Sequence, residues 1–208
     1  MSSLAILDYG MGNLRSVEKA FAHVGVEARV TRDAGEISGA AGLVLPGVGA
    51  FPKAMEAVRE LGLDELVRSA EVPVLGICLG MQLLFDESAE LGGAEGLGLL
   101  PGRVEALDAP GLKVPQIGWN AVSWRRRTPL DEGLGAETAF YHVHSFAALP
   151  ADEDDVLGTA TYGGEFVSAV ARGSVFGVQF HPEKSGADGL RLLANFASGC
   201  GLSLSQAA

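Results

Sequence analysis

The sequence predicts an α/β protein with a mostly parallel central sheet, helices on both of its faces and antiparallel hairpins in its second half. In the first half of the chain, short apolar runs alternate with stretches whose apolar residues recur at helical spacing. This β-α-β-α-β order is typical of a parallel sheet. In the second half, strand-like runs follow one another closely, which predicts hairpins that extend or cover the sheet.

Strands and helices alternate in the first half. The predicted strands lie in LAILDYG, EARVT and GLVLPG and at residues 73–77, and the predicted helices at residues 14–24, 51–58, 64–70 and 79–85. Asn13 is expected to cap the first helix and Gly25 to end it. Pro52 suits the first turn of the second helix, where an N–H group is not needed.

The second half holds six strand-like segments after the glycine-rich LGGAEGLGLLPG. They are GRVEAL, NAVSW, TAFYHVHSF, VLGTATY, FVSAVA and SVFGVQF. A last helix is predicted over residues 187–198, where apolar residues share one face. Because no repeat, linker or low-complexity segment divides the chain, residues 1–208 are expected to form a single domain.

Composition and charge argue against several classes of function. The 208 residues are 48% hydrophobic and 20% charged, which is typical of a globular protein with a sizeable core. A formal net charge of −11 argues against nucleic acid or an anionic membrane as a partner. The basic cluster at residues 125–127 is expected to be a solvated loop or strand end.

The N-terminus and the cysteines predict a cytoplasmic protein. No basic segment precedes the first apolar run, so a signal peptide is not expected, and no apolar stretch approaches the roughly 20 residues that span a bilayer. Cys78 and Cys200 are too few and too far apart to suggest a disulfide scaffold. We therefore expect a soluble protein of a reducing compartment, with Cys200 in a structural role.

Cys78 stands between a predicted strand and a predicted helix, with Gly76 and Gly80 on either side. This spacing has the form of a nucleophile elbow, a sharp strand-to-helix turn that exposes its central side chain. The N-terminus of the following helix would favour the thiolate form of such a cysteine. A buried structural cysteine, with glycines that allow close packing, explains the local sequence equally well.

Three of the four histidines are weak candidates for a base that could activate a cysteine. His23 lies near the end of the first predicted helix and is expected at the surface. His142 and His144 would share one face of a strand, which makes a two-histidine metal site conceivable. Because no third ligand is obvious, we expect no metal.

His181 is the better candidate base, because it follows the predicted strand SVFGVQF at a sheet edge where α/β active sites lie. Pro182 fixes the backbone after it, and Glu183 could hold the imidazole in one tautomer. Together with Cys78, these residues predict a Cys-His-Glu triad.

Two glycine-containing loops are candidate ligand sites. In PGVGAF, residues 46–51, backbone amides could bind a developing oxyanion, but no Gly-Lys-Ser/Thr follows as in a phosphate-binding loop. The first loop holds Gly10 and Gly12, but Arg15 occupies the third glycine position of a dinucleotide fingerprint and no acidic residue closes the second strand. We therefore expect no cofactor.

With these motifs assembled, the chain resembles the class I glutamine amidotransferases over essentially its whole length. GICLGMQ and HPE carry the general resemblance. DYGMGNLRSV, PGVGAF, PQIGWN, HVHS and GVQFHPEKSG are similar to the glutaminase subunits of imidazole glycerol phosphate synthases. The resemblance implies the flavodoxin-like fold of the family and the hydrolysis of glutamine to glutamate and ammonia.

The resemblance also implies roles for individual residues. Cys78 would attack the glutamine carboxamide and pass through a glutamyl thioester, with His181 as proton carrier. The backbone amides of Gly47, Val48, Gly49 and Leu79 would form the oxyanion hole, and Gln82, Glu90, Ser145 and Phe146 would hold the substrate. Oxyanion-hole amides stabilise the negative charge of a tetrahedral intermediate.

A partner follows from the same resemblance. Ammonia would pass to a (β/α)8-barrel cyclase subunit in a heterodimer, which forms imidazole glycerol phosphate and aminoimidazole-carboxamide ribonucleotide. Tyr141 and Lys184 would lie near the point where ammonia enters the barrel, and Met11, Asn13 and Trp119 would face it. Met11 stands where the family often has proline. From the sequence, Trp119 could equally be a core tryptophan on a strand.

Three alternatives remain at this stage. The chain could serve another pathway, such as anthranilate or pyridoxal phosphate synthesis, although DYGMGNLRS and HPEKSG argue against this. It could be a cysteine hydrolase or γ-glutamyl peptidase that works without a partner, or a triad-bearing scaffold that only binds. If the resemblance holds, the isolated chain should hydrolyse glutamine slowly, because a peptide of residues 47–49 would rest with its N–H turned away from the thiol.

Overall fold

A computed structural model describes residues 3–204 of the chain, and thirteen strands of this part form one sheet. The strands are β1 (Leu4–Leu7), β2 (Ala28–Thr31), β3 (Gly42–Gly47), β4 (Val74–Cys78), β5 (Phe85–Ser88), β6 (Ala94–Glu95), β7 (Leu100–Ala106), β8 (Gln116–Trp124), β9 (Glu137–His144), β10 (Phe146–Pro150), β11 (Val156–Tyr162), β12 (Gly164–Arg172) and β13 (Val175–Val178). The helices are α1 (Leu14–His23), α2 (Ala34–Ser38), α3 (Phe51–Glu60), α4 (Leu63–Arg68), α5 (Leu79–Leu83) and α6 (Gly186–Gly199).

The centre of the sheet is parallel, in the order β2-β1-β3-β4-β13. Every residue of β1, β3 and β4 is buried, as expected for parallel strands covered on both faces. Buried residues of α1 and α6 pack on one face, and those of α2, α3, α4 and α5 pack on the other. The predicted α/β class is confirmed.

Antiparallel pairing extends this centre on the β13 side. Strand β12 pairs with β13, β10 and β11, and β8 forms a hairpin with β9. The hairpins predicted for the second half are therefore present. They bring β9 over the end of β13, where Phe180 forms an isolated bridge with His142.

Several element boundaries differ from the prediction. Helix α5 ends at Leu83, and Phe85 begins β5, so the helix predicted over residues 79–85 was too long. Both pieces are buried and apolar, and a continuous apolar run does not separate a helix from a strand. The predicted strand TAFYHVHSF breaks at Ser145 into β9 and β10. Helix α2 was not predicted, because its five residues are too few to show helical spacing.

The ends of α1 are partly as predicted. Gly25 follows the helix with a φ of +77°, a left-handed conformation that favours glycine and ends helices. Asn13 occupies the N-cap position, but its side chain makes no capping hydrogen bond, so that expectation was wrong. Its Nδ2 instead lies 3.4 Å from Oε1 of Glu183, far along the chain.

The expectation for the basic cluster at residues 125–127 holds. The side chains of Arg125, Arg126 and Arg127 are exposed just beyond the end of β8 and bind Glu165, the Ala171 carbonyl and Asp131, respectively. These hydrogen bonds therefore hold the end of β8 against neighbouring segments. Within residues 3–204, no helix combines the length and apolar character that crossing a membrane requires.

Candidate active site

Cys78 sits at the turn from β4 into α5 with a φ of +55° and a ψ of −110°. Side chains other than glycine rarely adopt this backbone conformation, and such strain is concentrated at functional sites. The neighbouring glycines are required by close approach: a Cβ on Gly76 would lie 2.6 Å from the Gly80 carbonyl oxygen, and one on Gly80 would lie 1.6 Å from that of Leu45. The turn is thus a strained elbow of the predicted form.

His181 and Glu183 reach the same edge of the sheet, because β13 runs parallel to β4 with Val178 opposite Ile77. His181 Nδ1 lies 2.9 Å from Oε1 of Glu183, and both side chains are almost completely buried. Pro182 begins a short 3₁₀ turn, and this turn places the Glu183 carboxylate beside the imidazole Nδ1. Cys78 and His181 line the same cavity, so the structure brings together all three members of the predicted triad.

Ser185 fixes this turn, although the sequence pattern gave it no role. Its buried hydroxyl donates to the His181 carbonyl oxygen at 2.7 Å and accepts from the Tyr141 N–H at 2.9 Å. The His181 N–H in turn donates to the Tyr141 carbonyl oxygen at 2.8 Å. The backbone of His181 is therefore tied to β9 at two points, one of them through Ser185.

A cavity of about 290 Å³ opens above Cys78 and His181. It is lined by most of the residues predicted for the oxyanion hole and the substrate site, namely Val48, Gly49, Leu79, Gln82, Glu90, Ser145 and Phe146, and also by Lys184. Pro115, Val143 and His144 complete the lining without having been predicted. Gly47 does not line the cavity, and a Cβ there would meet the Tyr9 hydroxyl at 2.3 Å.

Gln82 and Glu90 have defined partners at the cavity wall. Gln82 Nε2 donates to the Phe146 carbonyl oxygen at 3.1 Å and to Gln179 Oε1 at 3.0 Å. Glu90 Oε2 accepts the Phe51 N–H at 2.8 Å, at the N-terminus of α3. A carboxylate is favoured there by the unpaired N–H groups of the helix. Glu90 therefore has a structural function besides its place in the cavity.

The fold and this constellation can be compared with known proteins. The family model for "Glutamine amidotransferase class-I" matches residues 5–200. The chain belongs to the class I glutamine amidotransferase family.

Relatives of this amidotransferase carry a common name. Proteins named "Imidazole glycerol phosphate synthase subunit HisH" from Moorella thermoacetica and Methylococcus capsulatus are each 51% identical to it, covering 94% of this chain and 94% and 96% of theirs. The protein of the same name from Aromatoleum aromaticum is 48% identical over 95% of this chain and 99% of its own.

Solved structures agree with the fold. A glutamine amidotransferase crystal structure superposes with a TM-score of 0.76 at 25% identity, covering 97% of this chain and all of that one. A chain of PurLQS from Thermotoga maritima gives a TM-score of 0.71 at 21% identity, covering 95% and 99% of the two chains. The latter likeness shows the fold alone.

Of the residues predicted to face a partner, Trp119 and Lys184 are exposed, whereas Met11, Asn13 and Tyr141 are half-buried. Trp119 is 59% exposed and meets Tyr141 edge to face, with ring centroids 6.2 Å apart. The alternative of a core tryptophan was therefore wrong. Lys184 is exposed, and Met11 packs against Gly49, where a Cβ would lie 2.5 Å from the Met11 methyl carbon. Ile117, also on β8, is 60% exposed but was not predicted.

The paired histidines of β9 are buried hydrogen-bonding residues. His142 lies 3.0 Å from the Phe140 carbonyl oxygen and 2.8 Å from the Ser168 hydroxyl. His144 has the Phe146 carbonyl oxygen at 2.8 Å and the Gln116 amide at 2.9 Å. Both ring nitrogens of each histidine are thus occupied. Among residues 3–204, no three His, Cys, Asp or Glu side chains are arranged to hold a metal ion.

The pKa values of His142 and His144 differ in direction from that of His181. Burial lowers the pKa of His142 to about 3 and that of His144 to about 4. Burial also acts to lower the pKa of His181, but contacts with Cys78 and Glu183 outweigh it and raise that pKa to about 9. Of these three imidazoles, His181 is the one that holds a proton at neutral pH.

Cys200 and His23 lie elsewhere: burial raises the pKa of Cys200 to about 12, and His23 is exposed at the end of α1, as expected.

These shifts predict that stability falls on both sides of roughly pH 6.5. Below that pH the unfolded chain protonates His142 while the folded chain does not, so the free energy of unfolding falls as pH drops toward 4. The raised pKa of His181 contributes stability that is lost as pH rises toward 9. In urea titrations, His142→Gln should flatten the acid limb by about 1.4 kcal/mol per pH unit, and His181→Gln should flatten the alkaline limb. Parallel wild-type and His142→Gln curves would contradict this.

Proposed function

We propose that this chain is the single-domain, glutamine-hydrolysing subunit of imidazole glycerol phosphate synthase, an enzyme of histidine biosynthesis. The observation that supports this best is that buried Cys78 and His181 line a small cavity, with Glu183 bound to His181, in a chain about 50% identical to proteins of that name. A cytoplasmic location is part of the proposal.

In the proposed reaction, His181 holds the proton of Cys78, and the resulting thiolate attacks the carboxamide carbon of glutamine. The N–H groups of residues 47–49 and of Leu79 hold the oxyanion. His181 then protonates the leaving nitrogen, which departs as ammonia and leaves a glutamyl thioester. The same imidazole removes a proton from water, the hydroxyl attacks the thioester, and glutamate leaves as the proton returns to sulfur. Glu183 supports the role of His181 as proton carrier, because it orients the ring and stabilises the imidazolium.

The family resemblance implies that Gln82, Glu90, Ser145 and Phe146 hold the substrate. The Phe146 carbonyl oxygen already accepts hydrogen bonds from Gln82 and His144, so it has little capacity left for a ligand. We therefore assign recognition to the carboxylate of Glu90, which suits the α-ammonium group of an amino acid, and to the remaining polar atoms at Gln82 and Ser145.

A (β/α)8-barrel cyclase subunit is the proposed partner and the receiver of the ammonia. The exposed Trp119 and Ile117, with Tyr141 nearby, form an apolar surface typical of an interface core. Met11 reaches from the proposed interface to the oxyanion loop, and Asn13 reaches to Glu183. We propose that partner binding turns a peptide of residues 47–49 so that its N–H faces the thiol, which would make hydrolysis slow in the isolated chain.

Glutamate release tests this function directly. The chain should hydrolyse glutamine slowly alone and much faster when the barrel and its nucleotide ligand are present. Equally fast hydrolysis without the partner would contradict the proposed heterodimer and favour a free-standing glutaminase. No hydrolysis in either state would favour a scaffold that only binds.

Trp119 supplies a prediction about the interface. Trp119→Ala should weaken binding of the barrel subunit by about 30-fold or more, since exposed tryptophans that become buried are common hot spots. Isothermal titration calorimetry measures the Kd. Leu61→Ala is the matched control: Leu61 is 40% exposed, but it caps the C-terminal end of α3, away from the cavity. Equal affinities for the Trp119 variant and the wild type would exclude this surface.

A further inference from the structure

Gln179 has no role in the triad, the oxyanion hole or the substrate site described above, yet its side chain contacts the sulfur of Cys78. It lies one residue beyond β13 and two before His181, and it is completely buried. Its backbone N–H is held by the Ser168 carbonyl oxygen at 2.8 Å. Its side-chain Nε2 lies 3.6 Å from Cys78 Sγ, a distance suited to an N–H···S hydrogen bond.

The orientation of the Gln179 amide is fixed by a short chain of hydrogen bonds. The chain begins at the Phe146 carbonyl oxygen, which can only accept and which receives His144 Nδ1 at 2.8 Å and Gln82 Nε2 at 3.1 Å. Gln82 must therefore turn its NH₂ group toward this oxygen, and the second N–H of that group meets Gln179 Oε1 at 3.0 Å. The Gln179 NH₂ group is left facing the sulfur, so the backbone of β10 determines that Gln179 is a donor to Cys78.

The sulfur has a different neighbour for its own proton. Cys78 Sγ lies 3.6 Å from the Val143 carbonyl oxygen, which accepts from a thiol. When the thiol loses its proton, that hydrogen bond disappears and the carbonyl dipole opposes the new negative charge. The Gln179 N–H, in contrast, interacts more strongly with a charged sulfur than with a neutral one.

We propose that Gln179 stabilises the ionised sulfur of Cys78 by donating a hydrogen bond whose direction is set through Gln82 by the Phe146 carbonyl oxygen. This inference rests on the proposed function, in which sulfur carries negative charge twice. It does so before attack on the carboxamide, and again when it leaves as the thioester is hydrolysed. A donor at the sulfur raises the thiolate fraction in the first case and improves the leaving group in the second.

Gln179→Met tests the donor, because methionine keeps most of the volume but has no N–H. In the full chain, the rate of Cys78 alkylation by iodoacetamide at neutral pH should fall about tenfold, the size of effect expected for one hydrogen bond to a charged group. With the barrel subunit, kcat should fall by a similar factor while KM changes less than about threefold, because the donor acts on sulfur and not on bound glutamine.

Gln82→Met separates the proposal from a simple packing role. Without Gln82, the Gln179 side-chain amide can rotate so that its oxygen faces the sulfur. Cys78 alkylation should therefore slow several-fold even though Gln179 is intact. The Gln82→Met/Gln179→Met double variant should be no slower than Gln179→Met alone, since residues that act through one hydrogen bond are not additive. Additive losses in alkylation would overturn the proposal.

Ser168→Ala is the matched control, because it removes a buried hydrogen bond of His142 but leaves the contacts of Cys78 in place. Its alkylation rate should equal that of the wild type. A folded Gln179→Met chain, checked by its circular dichroism and Tm, that alkylates at the wild-type rate would also overturn the proposal. Should that variant not fold, the Gln82→Met rate decides alone.

Alkylation of Cys78 needs neither glutamine nor the barrel subunit. The role of Gln179 and the proposed partner can therefore be rejected independently of each other. A slower Gln179→Met reaction without any stimulation by the barrel would reject the proposed partner and keep the role of Gln179. Strong stimulation with unchanged alkylation would do the reverse.

Discussion

Replacing Cys78 with alanine should reduce glutamine hydrolysis by the complex at least about 10⁴-fold, because the thioester route is lost together with the nucleophile. The fold should survive, since alanine fills less space than cysteine at the end of a completely buried strand. The measurement is glutamate release in the presence of the barrel subunit. Binding of that subunit to the alanine variant should match the wild type.

Cys200→Ala is the matched control for the Cys78 variant. Cys200 is partly buried at the end of α6, and its sulfur packs against Gly42 at the opposite end of the sheet from the elbow. Its removal should leave glutamate release within about twofold of the wild type. Residual activity above about 1% in the Cys78 variant would reject the proposed nucleophile.

Replacing Gly80 with alanine should lower the free energy of unfolding by about 3 kcal/mol or more and abolish hydrolysis as well. The added Cβ would lie 1.6 Å from the Leu45 carbonyl oxygen, so β3 and α5 could not keep their present separation. Backbone atoms on both sides of this contact leave no flexible side chain to yield. Urea denaturation measures the stability, and glutamate release measures the site.

Gly199→Ala provides the matched control for this substitution. Gly199 ends α6, and a Cβ there would meet no atom within 4 Å. The free energy of unfolding of the Gly199→Ala variant should equal or slightly exceed that of the wild type, since alanine is the better helix former. Equal urea midpoints for Gly80→Ala and Gly199→Ala would show that the elbow tolerates a side chain.

Most strands of the parallel centre were predictable because they are short apolar runs followed within a few residues by glycine or proline. The site residues Cys78 and His181 were predictable for a related reason: Cys78 ends β4 and His181 lies three residues beyond β13, and the ends of parallel strands meet at one edge. Boundaries were less predictable where the chain is apolar throughout. Leu79 to Phe85 offers no polar residue except Gln82 to mark where helix α5 gives way to β5.

Polar residues to which no motif assigns a role were the hardest to interpret. Gln179 and Ser185 stand in GVQFHPEKSG, but their neighbours in the sequence do not reveal what they bind. Ser185 acts on the backbone of His181 and Tyr141, and Gln179 acts on Cys78, about a hundred positions away. A buried glutamine two residues before a candidate base was the one signal available, because buried amides must be hydrogen-bonded.

The sequence by itself determined the α/β class, the order of the central elements and the three residues of the candidate triad, since these depend on local apolar patterns and on residue types. Tertiary structure alone decided that Trp119 is exposed, that Asn13 reaches Glu183 rather than capping its helix, and that a carbonyl oxygen on β10 orients an amide beside Cys78. The physical reason is that exposure and hydrogen-bond direction depend on which distant segments pack together, and the sequence around each residue does not specify them.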